Sequence, residues 1–487
     1  MKMRNYLWGV GGVADNLLTY GLAWTIIPVF NIGYGVDAFW LGVFIFVPRI
    51  LDVITDPLMG ILSDRTRGRF GRRRPYIFAG AITMALLFAL LWLPPFGKVE
   101  AVNAVATSTG TTSGWFGLPP LPTGNELMLL MWIGLIYSLI TLAYTVFSVP
   151  YIAMGYEFTR NYDKMTKIMA SRLYFTTFAG FGVVWLYSFS VHDAFGGDET
   201  VGMRYVGGAV AIIAALSGIV PALFCTEDLH VDKPKEKVSI KEIISATFGN
   251  KAFVYVMTAM LVFAIAIYTT GALTMHINVF YIAEGDKAFG AKLVAISGNI
   301  ITICSLCGMY VMIRLSRLMN KRSVALMCLA ILFVGFGSHW WTWNRDYPYL
   351  QYISAVLVGI GSSGIWLMID SMIGDVTKDE EARTGIAREG IYGASKSCLF
   401  KVAVALTSLS GAFVLSMSGY DEQAYPTEDV QLNLRLLFLG FLCGGIIIAF
   451  IALWLFPISR EKAEENERII RERLTVNHDN NKQELPA

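Results

Sequence analysis

The segment FWLGVFIFVPRILDVITDPLMGILSDRTRGRFGRRRP, residues 39–75, decides the fold class of this chain. It begins with an apolar run that is long enough to cross the roughly 30 Å hydrocarbon core of a bilayer as a helix. The run contains three ionisable side chains, Arg49, Asp52 and Asp56, and it ends in a short loop crowded with arginine. Because a charge in the middle of an apolar helix is costly in lipid, these residues must have a structural or functional partner.

The composition of the whole chain extends this interpretation. Of 487 residues, 55% are hydrophobic and only 16% are charged, and the mean hydropathy is +0.53. Continuous apolar stretches of about 20 residues form membrane helices, because lipid leaves the backbone groups no other partners. We therefore predict an all-α integral membrane protein with twelve transmembrane helices, near residues 7–32, 38–63, 75–95, 127–154, 168–191, 205–225, 252–283, 291–314, 323–343, 348–373, 388–418 and 430–457.

The loops between these apolar runs differ in charge. Most Lys and Arg residues fall in alternate loops and at the two ends of the chain, whereas the opposite loops contain only Lys98, Arg204, Lys287, Lys292 and Arg345. By the positive-inside rule, both termini are predicted to be cytoplasmic. The first run follows MKMRN without a small-residue cleavage site, so it is predicted to remain as the first span. We expect a multi-pass protein of a bacterial inner membrane.

Two features divide the chain into halves. The polar interval 226–251 separates six predicted spans from six others, and a short basic turn follows the second span of each half, at 63–75 and 314–323. Repeated halves of this kind are typical of transporters. We therefore predict a first six-helix bundle, a cytoplasmic middle loop, a second six-helix bundle and a cytoplasmic tail, over residues 1–225, 226–251, 252–457 and 458–487.

The ionisable residues of the second span share one helix face. At 100° per residue, positions 49, 52 and 56 fall within about 60°, and Thr55 widens the arc to about 120°. Arg49 and Asp52 could form a purely structural pair, but one arginine cannot neutralise two carboxylates. The remaining negative charge favours a cation held by carboxylate and hydroxyl oxygens, or a proton taken up by a desolvated carboxylate.

The loop after the second span carries a recognisable pattern. Gly60, Asp64, Arg65, Gly68 and Arg69 form a motif that resembles the signature of the major facilitator superfamily. The resemblance implies a fold of two six-helix halves. It also implies a gating role for Gly60, Asp64, Arg65 and Arg69 at the cytoplasmic ends of the helices. The alternative is a purely structural role, in which the basic residues only set the orientation in the membrane.

A closer resemblance covers nearly the whole chain. Arg49-x-x-Asp52-x-x-Thr55-Asp56-Pro57 is similar to the second-helix motif of the glycoside–pentoside–hexuronide:cation symporters, and residues 375–401 resemble that family's loop 10–11 and eleventh helix. The resemblance implies cation-coupled symport of a sugar, glycoside or uronide by alternating access. It implies a site for sodium or a proton at Asp52, Thr55, Asp56 and Thr145, and a sugar site at Asp15, Tyr144, Ser148, Arg172, Trp366 and Lys401.

The chemistry of these side chains agrees with that division. Sugar hydroxyls bind carboxylate and guanidinium groups such as those of Asp15 and Arg172, and the weakly apolar face of a sugar ring packs on an aromatic plane such as Trp366. Ordinary packing of Trp366 is the alternative. Lys401 is an isolated cation in an apolar run, so we expect it to pair with the carboxylates of the second span.

Several positions depart from the pattern of the family. Ser148 replaces an aspartate, Ala14 replaces a lysine and Ile152 replaces a tryptophan, while Lys396 adds a cation on the eleventh span. If Lys396 faces the sugar, the charge balance favours a substrate with a carboxylate or sulfonate group. Alternatively, Lys396 points away from the cavity and pairs with an acid on the cytoplasmic side.

Other functional classes have little support in the sequence. There is no GxxxxGK[ST] loop for ATP, and Gly359-x-Gly361-x-x-Gly364 lies inside a predicted membrane helix, where small residues allow close packing. We therefore predict neither an enzyme nor a cofactor other than the coupling ion, Na⁺ or H⁺. A net charge of +2 indicates no nucleic-acid partner.

The expected partners are a small sugar, the coupling cation and the lipid bilayer, and the protein is predicted to be a monomer. The sequence is also compatible with two other functions. One is a sodium-dependent lysolipid-type transporter of the same superfamily, which would favour a hydrophobic groove with a lateral opening. The other is a non-transporting membrane receptor.

Overall fold

The computed structural model describes residues 3–66, 68–99, 121–158, 162–225, 249–385, 389–421 and 424–483. The regular secondary structure of these residues is helical. Most of the predicted middle loop, residues 226–248, lies outside the described part of the chain.

The first half of the chain begins with a 3₁₀ segment, Met3–Val10, that leads directly into α1. A π-helical segment, Pro28–Gly33, extends α1 at its other end. The α-helices described in this half are α1 (Gly11–Ile27), α2 (Ala38–Arg65), α3 (Arg74–Leu91), α4 (Gly124–Glu157), α5 (Tyr162–Val183), α6 (Leu186–Ser190) and α7 (Glu199–Phe224).

The second half repeats this arrangement and ends in a further helix. Its first helix, α8, also continues into a π-helical segment, Ile277–Ile282. The α-helices described in this half are α8 (Lys251–His276), α9 (Lys287–Leu318), α10 (Lys321–Gly337), α11 (His339–Thr342), α12 (Gln351–Thr384), α13 (Glu389–Met417), α14 (Glu428–Trp454) and α15 (Arg460–Gln483).

Eleven helical stretches in the described part of the chain are long and apolar enough to cross a membrane. The fifth predicted span, at 168–191, corresponds to α5 and α6, which are separated at Val184 and Trp185. α5 begins with the polar sequence YDKMTK, residues 162–167, which lowers its mean hydropathy below that of its neighbours. The predicted all-α membrane architecture is confirmed, with a fifth span that is interrupted and more polar than expected.

Each half has its own hydrophobic core. Trp8 and Phe147 are fully buried in the core of the first half, and Phe263 and Phe438 are buried in that of the second. The loop between α2 and α3 and the turn between α9 and α10 lie at the end of the molecule that we call the basic end, because both are rich in Lys and Arg. The opposite end, where α1 and α8 finish, is called the far end.

Polar side chains fix the starts of several helices. Asp37 accepts a hydrogen bond from the backbone N–H of Trp40 at 2.9 Å, at the start of α2. Asn250 accepts hydrogen bonds from the backbone N–H groups of Ala252 and Phe253, at the start of α8. Each cap satisfies backbone donors that have no partner inside the helix, so the sequence sets where these spans begin.

The two halves meet along α2 and α13. A Cβ atom added to Gly42 would lie 2.7 Å from the carbonyl oxygen of Ser408 and would also collide with the side chain of Ala412. Only glycine therefore allows the backbones of α2 and α13 to approach this closely. The contact fixes the relative height of the two helices, and it brings the polar residues further along α2 opposite those of α13.

Side chains from both halves are in contact at the far end. Asn31 Oδ1 lies 2.7 Å from His276 Nε2, and both side chains are fully buried. Lys287 donates a hydrogen bond to Glu199 Oε1 at 2.7 Å, and Glu199 is only 1% exposed. We call these two contacts, Asn31 with His276 and Glu199 with Lys287, the far-end lock.

A charged cap supports the helix that carries Glu199. Asp198 accepts hydrogen bonds from Lys98 Nζ at 2.7 Å and from the backbone N–H of Thr200 at 2.9 Å. Burial alone would raise the pKa of Asp198, but the hydrogen bonds from Lys98 and Thr200 lower it to about 2. The ionised carboxylate therefore caps the start of α7 over the physiological pH range.

Candidate substrate and cation sites

A cavity of about 620 Å³ lies between the two halves. Ligand sites for small molecules commonly have volumes of roughly 300–1,000 Å³. Of the residues predicted for the sugar site, Asp15, Tyr144, Arg172 and Trp366 all line this cavity. The first three belong to the first half and Trp366 belongs to the second, so a bound molecule would contact both halves.

Asp15 of α1 is the centre of the polar wall of the cavity. Its Oδ1 accepts a hydrogen bond from the hydroxyl of Tyr144 at 2.7 Å, and its Oδ2 lies 2.6 Å from Arg172 Nη2. Asp15 is 8% exposed, so these two partners replace most of the water around its charge. Arg172 also lies over the ring of Tyr151, at 5.7 Å from the ring centroid. The site therefore offers a fixed carboxylate and a fixed guanidinium side by side.

Trp366 of α12 supplies an aromatic plane in the opposite wall. Its ring packs against Phe263, Tyr268 and Phe400, with centroid distances of 5.3, 6.2 and 5.7 Å. Tyr268 and Phe400 also line the cavity, and the sequence analysis missed both. Nothing in the sequence distinguishes them from the many aromatic residues that face lipid, because only the packing of α8 against α12 and α13 turns them inward.

The carboxylates of α2 form a compact cluster with two hydroxyl groups. Thr145 Oγ1 lies 2.8 Å from Asp52 Oδ1 and 3.0 Å from Asp56 Oδ1, and Thr55 Oγ1 lies 3.3 Å from Thr145 Oγ1. A hydroxyl has a single proton, so Thr145 donates to one carboxylate at a time. The structure thus brings together the four residues predicted for the cation site.

Lys401 of α13 completes this group. Its Nζ contacts Asp56 Oδ2, and it lies 3.7 Å from Asp52 Oδ2 and 3.4 Å from the Asp52 carbonyl oxygen. The predicted pairing of Lys401 with the carboxylates of the second span is confirmed. The structure places Lys401 among these carboxylates and outside the cavity wall, although it was predicted with the sugar residues. We call Asp52, Thr55, Asp56, Thr145 and Lys401 the carboxylate cluster.

The structural alternative, an ion pair between Arg49 and Asp52, is not formed. Its guanidinium carbon lies 5.6 Å from the ring centroid of Tyr137, and both residues line the cavity. Within the described part of the chain, Arg49 has no carboxylate oxygen within 4 Å. Lys401 takes the place beside Asp52, and the guanidinium of Arg49 lies against Tyr137 at the cavity wall.

Two further positions differ from the arrangement that an acidic-sugar site would need. Ser148 is buried in α4 and is not part of the cavity wall, although it lies only one helical turn beyond Tyr144 on nearly the same face of α4. Lys396 forms an ion pair with Asp370 of α12. Of the two predicted arrangements of Lys396, the structure therefore shows the one in which it pairs with an acid.

The predicted gating residues form part of a larger ion cluster at the basic end. Asp64 accepts a hydrogen bond from Arg73 Nη2 at 2.8 Å, and the same nitrogen lies 2.8 Å from Glu157 Oε1. Arg72 also binds Glu157, at 2.5 Å. Because Arg73 is buried, this cluster ties the basic ends of α2 and α4 to the start of α3.

The remaining residues of the gating motif are less constrained. Arg65 and Arg69 are exposed and form no ion pair with the described residues, and the nearest atom to a Cβ added at Gly60 would be 3.8 Å away, on Val149. Arg72, Arg73 and Glu157 were not predicted from the sequence. The run of three arginines at 72–74 was the available signal, but only the fold identifies the buried one.

Comparison with known proteins places this arrangement in a family. A family model described as MFS/sugar transport protein matches residues 7–460. The chain belongs to this family. It is therefore a multi-pass membrane protein and a sugar transporter of the major facilitator superfamily, and it is not an enzyme.

Individual relatives of this MFS sugar transporter agree with the family match. An uncharacterized symporter of Synechocystis is 22% identical over 96% of this chain and 95% of that protein. The glucuronide carrier protein homolog of Escherichia coli is 20% identical over 94% of this chain and 93% of that protein. The crystal structure of a D-xylose-proton symporter has a TM-score of 0.64 at 13% identity, and it covers 93% of this chain and 97% of that one. This last likeness shows a shared fold.

Proposed function

We propose that this transporter is a cation-coupled symporter that carries a sugar, glycoside or uronide across a bacterial inner membrane by alternating access. The coupling cation, Na⁺ or H⁺, binds at the carboxylate cluster, and the sugar binds beside Asp15 and Arg172. The basic end and both termini face the cytoplasm, as the positive-inside rule predicts. The observation that carries the proposal is that the carboxylate cluster contains two carboxylates and only one ammonium group.

The charge balance of the cluster supports a coupling cation. Lys401 compensates one negative charge of Asp52 and Asp56, and Arg49 lies elsewhere, over Tyr137. An uncompensated carboxylate at this depth in a bilayer costs roughly 2.5–3.5 kcal/mol. A bound Na⁺ or a proton removes this cost, and the oxygens of Thr55 and Thr145 add two ligands of the kind that a hard cation prefers.

Lys401 and the coupling cation compete for the same carboxylate oxygens. Its ammonium group occupies the oxygen-lined space between Asp52 and Asp56, which is also where Na⁺ would bind. Entry of the cation therefore weakens the contact of Lys401 with α2 and loosens the link between α2 and α13. A cation that favours one arrangement of the halves, and a sugar that favours the same one, increase each other's affinity.

Sugar binding is the other part of this linkage. Asp15 accepts hydrogen bonds from sugar hydroxyls, Arg172 donates to sugar oxygens, and Trp366 stacks on the ring. Because Asp15 and Arg172 belong to the first half and Trp366 to the second, a sugar holds the halves together. The closed far-end lock corresponds to a state in which the sugar site is shut off from the outside.

The driving force is sufficient for accumulation. One positive charge moving down a potential of 100 mV supplies about 2.3 kcal/mol. With tight coupling of one cation to one sugar, this energy supports roughly 50-fold accumulation per 100 mV, since 1.36 kcal/mol corresponds to a factor of ten.

The test is uptake by proteoliposomes that contain the purified full-length chain. A panel of radiolabelled neutral sugars, methyl glycosides and uronic acids is presented with an inward Na⁺ gradient, with an inward H⁺ gradient and with neither. We expect at least one sugar to accumulate above its external concentration with one of the two gradients, and we expect an ionophore that dissipates that gradient to abolish accumulation.

Two outcomes would contradict the proposal. Equilibration of a sugar without any response to either gradient would identify a uniporter and remove the coupling assignment. Absence of sugar uptake, together with uptake of a lysolipid in the same vesicles, would favour the lysolipid-type alternative. A lack of both activities in correctly folded protein would favour the non-transporting receptor.

A further inference from the structure

A second cavity, of about 200 Å³, lies at the basic end of the second half. Its walls come from the turn between α9 and α10, the last turns of α12, the segment that joins α14 to α15, and the start of α15. It shares no lining residue with the cavity between the two halves. We call it the basic pocket, and its side chains have no part in the sugar or cation sites.

The charged side chains of the basic pocket do not balance. Three of its four cations each face one of its three acids, in the pairs Lys321–Asp375 at 2.6 Å, Arg460–Glu464 at 2.9 Å and Lys378–Glu467 at 3.9 Å. The fourth cation, Arg322, has no carboxylate oxygen within 4 Å in the described part of the chain. The pocket therefore keeps one positive charge without an acid.

The guanidinium of Arg322 is held in a fixed position but keeps free donors. Its Nη1 donates to the carbonyl oxygen of Phe456 at 3.2 Å, and its central carbon lies 5.5 Å from the ring centroid of Trp454. A guanidinium carries five N–H donors, and its planar fork matches two oxygens of a phosphate. Because the structure shows a single hydrogen bond from this side chain, Arg322 has donors left for such a ligand.

Two more arginines near the end of α9 have no acid within 4 Å among the described residues. Arg314 donates to the hydroxyl of Tyr310 at 2.9 Å and lies over its ring at 5.2 Å, and Arg317 is exposed. A basic residue that only sets the orientation in the membrane needs no aromatic partner. The rings beneath Arg314 and Arg322 instead hold both guanidinium groups at the edge of an apolar surface.

This apolar surface lies on the outside of the helices. Tyr310, Leu318, Trp454 and Leu455 are between 51% and 78% exposed. Because α9 and α14 are long and apolar enough to span the membrane, side chains exposed on their outer faces contact lipid. Aromatic rings such as that of Trp454 are typical of the boundary between acyl chains and headgroups. The free donors of Arg322 therefore lie at the height of phospholipid phosphates.

We propose that the basic pocket binds the phosphate of an anionic phospholipid from the bilayer leaflet at the basic end. The phosphate accepts hydrogen bonds from Arg322 and compensates its charge, while Arg314 and Arg317 add positive potential nearby. The acyl chains lie along Trp454 and Leu455. A zwitterionic lipid fits less well, because its ammonium group brings a second positive charge to the same place. The site lies outside the transport path, so this inference goes beyond the proposed symport and does not depend on it.

The test measures lipid binding by the purified full-length protein. The protein in a non-ionic detergent is titrated with phosphatidylglycerol or with phosphatidylcholine of the same acyl chains, and native mass spectrometry counts the bound lipids. We expect one phosphatidylglycerol to bind about tenfold more tightly than phosphatidylcholine. Inorganic phosphate at the same concentration should not displace it, because phosphate lacks the apolar contacts of the acyl chains.

Three variants and a matched control locate the bound lipid. We expect Arg322→Gln to lower phosphatidylglycerol affinity about tenfold, and Arg322→Lys, which keeps the charge but loses the planar fork, to lower it less. Trp454→Leu keeps an apolar side chain at an exposed position but removes the ring, so a fall of about threefold is expected. Arg69→Gln removes the same charge from an exposed arginine of the other basic turn and should keep wild-type lipid affinity.

Several outcomes would overturn this inference. Equal affinity for the two lipids, or an equal loss in Arg69→Gln and Arg322→Gln, would show that the basic residues act only through their overall charge. Displacement of phosphatidylglycerol by an equal concentration of inorganic phosphate would identify a site for a free anion. If Arg322→Gln does not fold, wild-type affinity in both Arg322→Lys and Trp454→Leu would still reject the site. Failure of sugar uptake would leave the lipid site unaffected.

Discussion

Tyr144 and Thr145 are neighbours on α4, and their hydroxyl groups bind carboxylates of two different sites. The hydroxyl of Tyr144 donates to Asp15 at 2.7 Å in the wall of the cavity, and that of Thr145 lies 2.8 Å from Asp52 in the carboxylate cluster. One peptide unit therefore joins the two sites. In the proposed symport mechanism, this adjacency is the shortest route by which a change in the carboxylate cluster would reach Asp15.

The first prediction concerns this link. Thr145→Val keeps the size of the side chain but removes the hydroxyl that holds Asp52 and Asp56. Because a hydrogen bond to a charged group is worth about 1.5–3 kcal/mol, we expect cation affinity to fall at least about tenfold. The effect of the cation on sugar affinity should become smaller as well. Both are measured by calorimetric titration of the sugar at several concentrations of the coupling ion.

Two variants serve as controls for this link. Thr145→Ser keeps the hydroxyl and should retain most of the coupling. Tyr144→Phe removes one of the two partners of Asp15 and should weaken sugar binding while leaving cation affinity near the wild-type value. Normal coupling in Thr145→Val would show that the adjacency of the two residues has no functional role.

The second prediction concerns the surplus charge. Asp52→Asn and Asp56→Asn each leave a cluster whose single carboxylate is already compensated by Lys401, so the need for a cation disappears. We expect both variants to insert normally and to lose accumulation, while sugar still exchanges across the membrane. Counterflow and concentrative uptake in the same vesicles distinguish the two activities. Asp429→Asn, at an exposed position, is the control; concentrative uptake at the wild-type level by both cluster variants would disprove the coupling assignment.

The third prediction separates the buried arginine of the basic end from the exposed ones. Asp64→Ala and Arg73→Ala break the ion cluster that includes Glu157, so we expect slower transport with little change in sugar affinity. Arg65→Ala should have a smaller effect on turnover, because Arg65 is exposed and forms no ion pair with the described residues. Transport rates and equilibrium binding are measured on the same preparations. An effect of Arg65→Ala equal to that of Arg73→Ala would assign the gating role to the exposed face of the loop.

The fourth prediction concerns the far-end lock. Combining Asn31→Ala with Glu199→Gln removes one partner from each of its two contacts, so the far end should open more often. We expect a cysteine introduced at Tyr20, in the cavity wall, to react faster with an impermeant thiol reagent added from outside. The six native cysteines are first replaced. Asp346→Asn, at an exposed position of the second half, is the control, and equal labelling in all three proteins would show that these contacts do not close the far end.

The fifth prediction concerns acidic substrates. Arg49 faces the cavity over Tyr137 without a carboxylate within 4 Å among the described residues, whereas Lys396 is bound to Asp370. If the substrate is a uronide, Arg49 is therefore the side chain that neutralises it, and Arg49→Gln should abolish a preference for the uronic acid over its neutral counterpart. Lys396→Gln should keep that preference. Competition between the two sugars measures it, and loss of preference in Lys396→Gln alone would assign the role to Lys396.

The sequence predicted much of the carboxylate cluster because isolated charges in an apolar run have few options. Asp52, Asp56 and Lys401 had to find partners, and the helical period placed the two carboxylates on one face. The same argument left open whether Arg49 pairs with Asp52. Its position on that face was correct, but whether it pairs with Asp52 depends on Lys401, which lies 345 residues after Asp56 in the sequence. Only the packing of α13 on α2 decides between the two cations.

The basic end and Ser148 show a second limit of prediction from the sequence. Several arginines between residues 65 and 74 cannot be distinguished by sequence alone. Arg73 is buried in contact with Glu157, which lies far away in the chain, whereas Arg65 is exposed. Ser148 lies one helical turn beyond Tyr144 on nearly the same face of α4, yet Tyr144 lines the cavity and Ser148 is buried outside its wall. Family motifs identify which positions matter, but the orientation of each side chain requires the tertiary structure.

The close approach at Gly42 has a mechanical consequence. With Ser408 and Ala412 against its backbone, α2 has no room to move closer to α13 at this height, so we expect relative motion of the halves to rotate about this contact. Asp56 lies 14 residues further along α2, about 21 Å from this fulcrum. The displacement caused by a rotation grows with the distance from Gly42. A rotation of only a few degrees would therefore lengthen the ion pair between Asp56 and Lys401. The strength of this ion pair therefore sets the energy needed to begin the rotation of one half relative to the other.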